Sequence, residues 1–265
     1  MKTMSSSDFR EYRRKTRETE YVLIDVRQPG EYTRVHIPGA QLIPLGELEE
    51  KIDELPDKDL IFYCRSGARS RVAALNAEYF NTPGRTIINL EGGMLAWDGE
   101  RLKGFPDMAA LNMDLGREQI LMSAMDLEKG AHRFYSHVME QYPGLDLNSI
   151  LAGVRDGEMA HARLIYSHLK AMNPGVQSFE DIYSRLKGDI LEGGQPLDAC
   201  IAEMGQDTRK IDILEIGILM EYQAYDMYRN IADTGDDKQV TEAFFSLSQA
   251  EKHHMDILIK AIDAQ

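Results

Sequence analysis

Four positions whose side chains bind metals or steady their ligands occur twice in this sequence at one fixed offset. Glu128 stands seven residues before Tyr135, as Glu221 stands seven before Tyr228. Glu158-Met159-Ala160-His161 is answered by Glu251-Lys252-His253-His254, and all four correspondences span 93 positions. One Glu-x-x-His motif arises readily by chance, whereas four matched positions at one offset do not. Residues three apart on a helix share a face, so Glu158 with His161, and Glu251 with His254, can serve a common centre. One glutamate from each of two further helices completes a set of four carboxylates and two imidazoles. Four buried carboxylates need cations or protons, and two divalent ions would supply four positive charges against them. Oxygen and nitrogen donors suit iron or manganese best, with zinc possible.

A second kind of chemistry is written in Tyr63-Cys64-Arg65-Ser66-Gly67-Ala68-Arg69-Ser70. Here an apolar run ends in a cysteine just before a helical stretch, where unpaired backbone N–H groups face an anion. Those donors and two arginines should lower the thiol pKa and favour the nucleophilic thiolate.

These residues need elements to hold them. Residues 21–26, 60–63 and 86–90 are short apolar runs of β-forming residues, as buried parallel strands are. Helical spacing over 46–55 and 68–80 alternates with them, which predicts a small α/β domain with a parallel sheet over residues 1–106. A Gly/Pro-bearing stretch, Arg101 to Pro106, reads as the linker. Residues 107–265 read as helix throughout, with long segments at 116–142, 147–172, 208–233 and 238–264 and a short piece around 179–186. Two helical hairpins joined by one long connection make a ferritin-like four-helix bundle. Met122, Met125, Phe134, Leu164, Ile165, Met220, Met255 and Leu258 are expected to line its core. Residues 173–207, with seven acidic and two basic groups, read as a solvated connection.

Over the first 106 residues the chain resembles the rhodanese family. The resemblance rests on Asp25-Val26-Arg27, on Glu31 through His36-Ile37-Pro38-Gly39-Ala40, on the Cys64–Ser70 loop, and on Leu90-Glu91-Gly92-Gly93 with Trp97. It implies that Cys64 takes a sulfane sulfur from thiosulfate or a persulfide and passes it to a thiol acceptor. Residues Arg65, Ser66, Gly67, Ala68 and Arg69 would form the loop around that sulfur, with Arg65 and Arg69 supplying positive charge. Cysteine phosphatases use a similar cradle but require arginine six residues after the cysteine. Here Ser70 holds that position, between Arg69 and Arg71, so sulfur transfer is favoured and phosphatase activity is the alternative.

The helical part resembles the rubrerythrin branch of the ferritin-like family. That resemblance implies two iron ions, with Glu128 and Glu221 as terminal ligands, Glu158 and Glu251 bridging, and His161 and His254 capping one ion each. Tyr135 and Tyr228 would hold the carboxylates in place. It also implies reduction of peroxide or oxygen, a part in oxidative stress, and a homodimer. The sequence has no rubredoxin-like Cys-x-x-Cys pair, so electrons must come from an external donor. The extra glutamate that typical rubrerythrins carry one turn after the third-helix ligand is here Ala224. Ferroxidase and oxidase functions therefore stay open beside peroxide reduction, as does metal binding or storage with the first module as a sulfur carrier or docking domain. His132, one turn from Glu128, is a further candidate; His137, His168 and His253 read as surface or peripheral groups and Cys200 as a packed thiol.

The net charge is −14, of which −13 falls on residues 107–265. Such acidity argues against a nucleic-acid binder. Two cysteines exclude a disulfide framework and a four-cysteine zinc site. No apolar run approaches a membrane span, and the first residues, MKTMSSSDFREYRRK, have no apolar signal core. The expectation is a soluble cytoplasmic protein with no membrane partner.

Overall fold

Strands β1 (Lys2–Met4), β2 (Tyr21–Asp25), β3 (Ala40–Leu42), β4 (Asp59–Tyr63) and β5 (Ile87–Leu90) form one parallel sheet in the order β1-β5-β4-β2-β3. The structure, a computed structural model, describes residues 1–79, 85–99, 101, 111, 115–145, 147–205, 207–235 and 237–263. The chain divides into two compact units, Met1–Phe105 and Pro106–Gln265. Of the stretch expected to be a linker, all but Arg101 lies outside the described residues.

In the first unit alternate residues of each central strand enter opposite apolar layers, as the twofold period of a strand requires. Val22, Ile24, Leu60 and Phe62 pack with Leu48, Ala73, Ala74 and Ala77. Tyr21, Leu23, Ile61 and Tyr63 pack with Phe9, Met94 and Trp97 on the other face. The covering helices are α1 (Ser6–Lys15), α2 (Pro29–Arg34), α3 (Leu48–Lys51), α4 (Ala68–Tyr79) and α5 (Gly93–Ala96). The three strands expected from sequence are present. β1 and β3, three residues each, are too short to carry a readable alternation. The helical stretch expected over 46–55 is one α-turn, α3, between two 3-10 turns.

The second unit is built on α6 (Arg117–Gln141), α7 (Asn148–Met172), α10 (Lys210–Thr234) and α11 (Lys238–Asp263), with α8 (Phe179–Arg185) and α9 (Leu197–Glu203) in the connection. α6 packs on α7 and α10 on α11, and α7 meets α11. Two apolar clusters divide the bundle along its length. One takes residues 120–127, 162–169, 224–231 and 240–247; the other takes 131–138, 147–154, 213–220 and 258–261. The repeated glutamates and histidines fall at the junction, one level on every helix. Met122, expected in the core, is 37% exposed, because it lies off the inward stripe formed by Leu121, Ala124 and Met125.

The connection is not the loose solvated segment its acidity suggested. Lys129 Nζ donates to the Tyr183 and Leu186 carbonyls, both at 2.7 Å. Arg133 Nη1 donates to the Lys187 and Gly188 carbonyls and to Asp189, while the Gly188 N–H donates to Asp126 at 2.9 Å. These three side chains project from one face of α6 at helical spacing. Between them sits Gly130, where an added Cβ would overlap the Ile190 carbonyl oxygen.

Helix propensity alone predicts that Gly130→Ala stabilises α6 by about 1 kcal/mol. The close approach of Ile190 predicts the opposite sign, a loss of about 1–3 kcal/mol from overpacking. Urea unfolding followed by far-ultraviolet circular dichroism separates the two, and a stabilised variant would refute the close approach.

Candidate functional sites

Cys64 follows β4 directly and is buried, with its side chain turned toward the first turn of α4. Its Sγ accepts from the Gly67 N–H at 3.1 Å and lies 3.5 Å from Ser70 Oγ. Burial opposes the thiolate. The Ser70 hydroxyl and the N–H groups of Ser70, Ser66 and Gly67 outweigh burial and leave the thiol pKa below its ordinary value. The loop is braced from behind by Gly93, whose φ of 51° only glycine adopts readily, and by the Met94 N–H donating to the Cys64 carbonyl at 2.9 Å.

The arginines sit differently from one another. Arg69 makes a two-pronged pair with Glu31 at 2.7 and 2.8 Å, and that pairing lowers the Glu31 carboxyl to about 2. Its guanidinium still feels the charge of Cys64. Arg65 is exposed, as are Ser66 and Ala68. Asp25 pairs with Arg27 in a buried fork, Nη2 to Oδ2 at 2.6 Å. The contribution of Ser70 was missed in the sequence. That position was read only as lacking the phosphatase arginine, although a hydroxyl one turn into the helix is well placed to face the cysteine.

In the second unit the six expected ligands converge. Glu128, Glu158, Glu221 and Glu251 are fully buried, and His161 and His254 nearly so. His161 Nδ1 lies 3.1 Å from Glu128, 3.3 Å from Glu158 and 3.1 Å from Glu251. His254 Nδ1 lies 3.1 Å from Glu158, 3.3 Å from Glu221 and 3.4 Å from Glu251. One imidazole nitrogen carries at most one proton and cannot serve three carboxylates. Accordingly, both oxygens of Glu158 and both of Glu251 lack a hydrogen bond. Donor atoms bonded at right angles to one ion at about 2.1 Å stand about 3 Å apart, which is the spacing found here. The residues therefore fit a pair of metal ions. Glu158, His161, Glu251 and His254 form one group whose donor atoms all lie within 4.8 Å of one another.

Electrostatics tell the same story. Burial, reinforced by Glu251, lifts Glu128 to about 7, and burial with Glu158 lifts Glu221 well above the carboxylate range. Glu158 and Glu251 are drawn down, against their burial, by His254 and His161. Both imidazoles are raised against their burial by the surrounding carboxylates. The site attracts positive charge from whatever source offers it.

Tyr135 and Tyr228 are buried and each serves the opposite hairpin. Tyr228 Oη donates to Glu128 at 2.6 Å, and Tyr135 Oη donates to Glu221. His132 is half-buried and belongs to neither metal-capable group found among the described residues; His253 is exposed. Cys200 is buried and its thiol is raised by burial, which suits a packed, unreactive group.

A seventh group was not foreseen. Glu192, in the connection between hairpins, is fully buried, and its donor atoms lie within 4.8 Å of those of Glu128, Glu158 and Glu251. It has no counterpart in the repeat, and its acidic neighbours made it look solvated. The one available signal was the breaker Gly193-Gly194 beside the apolar Ile190-Leu191.

Comparison with known proteins finds a different family in each unit. The family model for the Rhodanese-like domain matches residues 8–100, and that for Rubrerythrin matches residues 212–265. The Bacillus subtilis protein YtwF is 42% identical over 84 residues, 31% of this chain and 79% of its own. A sulfurtransferase of Allochromatium vinosum is 38% identical over 80 residues, covering 29% of this chain and 72% of its own. Among solved structures, a rhodanese-like domain protein from Staphylococcus aureus is 27% identical, with a TM-score of 0.33, and covers 38% of this chain and 94% of that one. The Rubrerythrin match takes in α10 and α11, and the 93-residue repeat carries the same residue types into α6 and α7. Among the described residues, no helix is long and apolar enough to cross a membrane.

The rate of Cys64 alkylation by iodoacetamide should rise with pH to a midpoint below that of free cysteine. Ser70→Ala removes the hydroxyl that faces Sγ, so its midpoint should move upward and its rate at pH 7 should fall. An unmoved midpoint would show that the hydroxyl carries none of the thiolate's charge.

Proposed function

Since the chain belongs to the rhodanese-like family across its first unit and carries a rubrerythrin domain in its second, we propose that it is a two-module redox protein. The first module transfers sulfane sulfur through Cys64. The second holds two metal ions, iron before manganese or zinc, among Glu128, Glu158, His161, Glu221, Glu251 and His254.

The sulfur step follows from the cradle. The Cys64 thiolate attacks the outer sulfur of thiosulfate or a persulfide, the S–S bond breaks, and sulfite or a thiolate leaves with the bonding pair. Cys64 then carries a persulfide. An acceptor thiolate attacks its outer sulfur and takes it away as a new persulfide, which returns the Cys64 thiolate. No net electrons are consumed. The Gly67 N–H and the Ser70 hydroxyl stabilise the negative sulfur at both ends of the cycle. Arg65, exposed beside the loop, draws the anionic donor.

In the bundle, bound iron would supply the electrons for reducing peroxide or oxygen, and an external donor would restore them. The chain's own part is placement. Tyr228 and Tyr135 fix Glu128 and Glu221 by their hydroxyl protons. The pairing of each histidine with a glutamate one turn away sets both on the same face, and the apolar clusters above and below exclude bulk water. The observation that carries this reading is the set of buried carboxylate oxygens on Glu158 and Glu251 that no hydrogen bond satisfies.

Cys64→Ser should abolish sulfite release from thiosulfate in the presence of a thiol while leaving metal content unchanged. Retained sulfite release would remove Cys64 from the mechanism. Glu158→Ala combined with His161→Ala should lose stoichiometric metal in elemental analysis of anaerobically prepared protein, and two ions per chain surviving would sink the ligand assignment. Peroxide added to loaded protein with an electron donor should give sustained turnover; uptake of metal without turnover would point instead to storage.

A further inference from the structure

Glu192 stands outside the symmetry that organises the other ligands. Its Oε1 lies 3.3 Å from Tyr228 Oη, but that hydroxyl has one proton and gives it to Glu128 at the shorter distance of 2.6 Å. Its Oε2 is buried with no hydrogen-bond partner. A carboxylate buried this way is very unfavourable unless it takes up a proton or a cation meets it.

The surrounding chain is built to hold it there. The contacts of Lys129, Arg133 and Asp126 clamp residues 183–189 onto α6. Beyond the clamp the backbone folds back on itself, Leu191 N–H to the Gln195 carbonyl and Leu197 N–H to the Asp189 carbonyl, each at 2.8 Å. Leu191 and Leu197 on either side are buried. A segment that merely linked two hairpins would need none of this, and it would not drive a glutamate inward.

We propose that Glu192 is a seventh protein ligand, and that it makes the two metal positions unequal. Its donor atoms group with Glu128, Glu158 and Glu251 and not with Glu221. The ion on the Glu128 and His161 side thus gains a carboxylate that the ion on the Glu221 and His254 side lacks. The fold delivers through its connection a fifth carboxylate that the helices, with Ala224 one turn past Glu221, do not provide. This inference rests on the two-metal reading above.

The test is an anaerobic titration of the full-length metal-free chain with Co2+, followed by visible absorption and equilibrium dialysis. Wild type should take up two ions in two separable steps. Glu192→Gln should weaken the tighter step by about tenfold or more, leave the weaker step in place, and bring the two together. Far-ultraviolet circular dichroism guards against misfolding. The metal-free Gln variant should be at least as stable as wild type, since it buries an amide in place of a charge, whereas a structural role predicts a loss. If the Gln variant does not fold, Glu192→Asp keeps the charge but withdraws the oxygens, and it should weaken the same step. A wild-type titration with one indistinguishable step, or a folded variant that binds both ions as wild type does, overturns the proposal. If Glu158→Ala with His161→Ala also binds two ions unchanged, the two-metal reading itself has failed; if only that variant loses them, the failure is confined to Glu192.

Discussion

Five glutamates share the buried middle of one helical bundle, and their mutual repulsion is the constraint to which the rest of the second unit answers. Like charges at these separations in a poorly polarisable interior cannot all persist without compensation. Two imidazoles and two tyrosine hydroxyls meet part of the demand. Protons on the carboxyls whose pKa is raised, or the cations proposed above, would meet the rest. The apolar clusters at either end of the bundle fix where this happens. They supply the burial that stabilises the helices, and they leave a single level at which polar groups from all four helices can meet.

The first unit solves a smaller version of the same problem with partial charges. One sulfur anion needs a receptive environment, and the end of a strand facing a helix start provides N–H groups that no other part of the fold requires. The arginines beside it contribute less directly than their number suggests. Arg69 is largely committed to Glu31, and Arg65 stands at the surface. Fixed dipoles at contact distance are the stronger support here, because a nearby guanidinium already paired with a carboxylate has little field left to lend.

Much of this was legible in the sequence, for reasons that differ from residue to residue. A helix turns regular spacing into a shared face, so Glu158 with His161 and Glu251 with His254 could be placed from their numbers alone. The buried strands at Tyr21–Asp25 and Asp59–Tyr63 were readable because both faces are covered. Glu192 was not readable. Its position depends on a backbone clamped by Lys129 and Arg133 through carbonyl groups, and carbonyl groups leave no trace in residue type. Ser70 escaped because its effect runs through one hydrogen bond across a loop. The tyrosines were recognised as partners of carboxylates, but periodicity along one helix could not reveal that each reaches across to the other hairpin.

That crossing has an evolutionary reading. Neither hairpin is complete alone, since Tyr135 belongs to Glu221 and Tyr228 to Glu128. Two identical hairpins related by a twofold axis would supply every member of the repeated set to each other. A 93-residue period is what the fusion of such a pair into one polypeptide would leave. Glu192 lies on the segment joining the hairpins, so among the buried glutamates of the cluster it is the member that the twofold repeat does not duplicate.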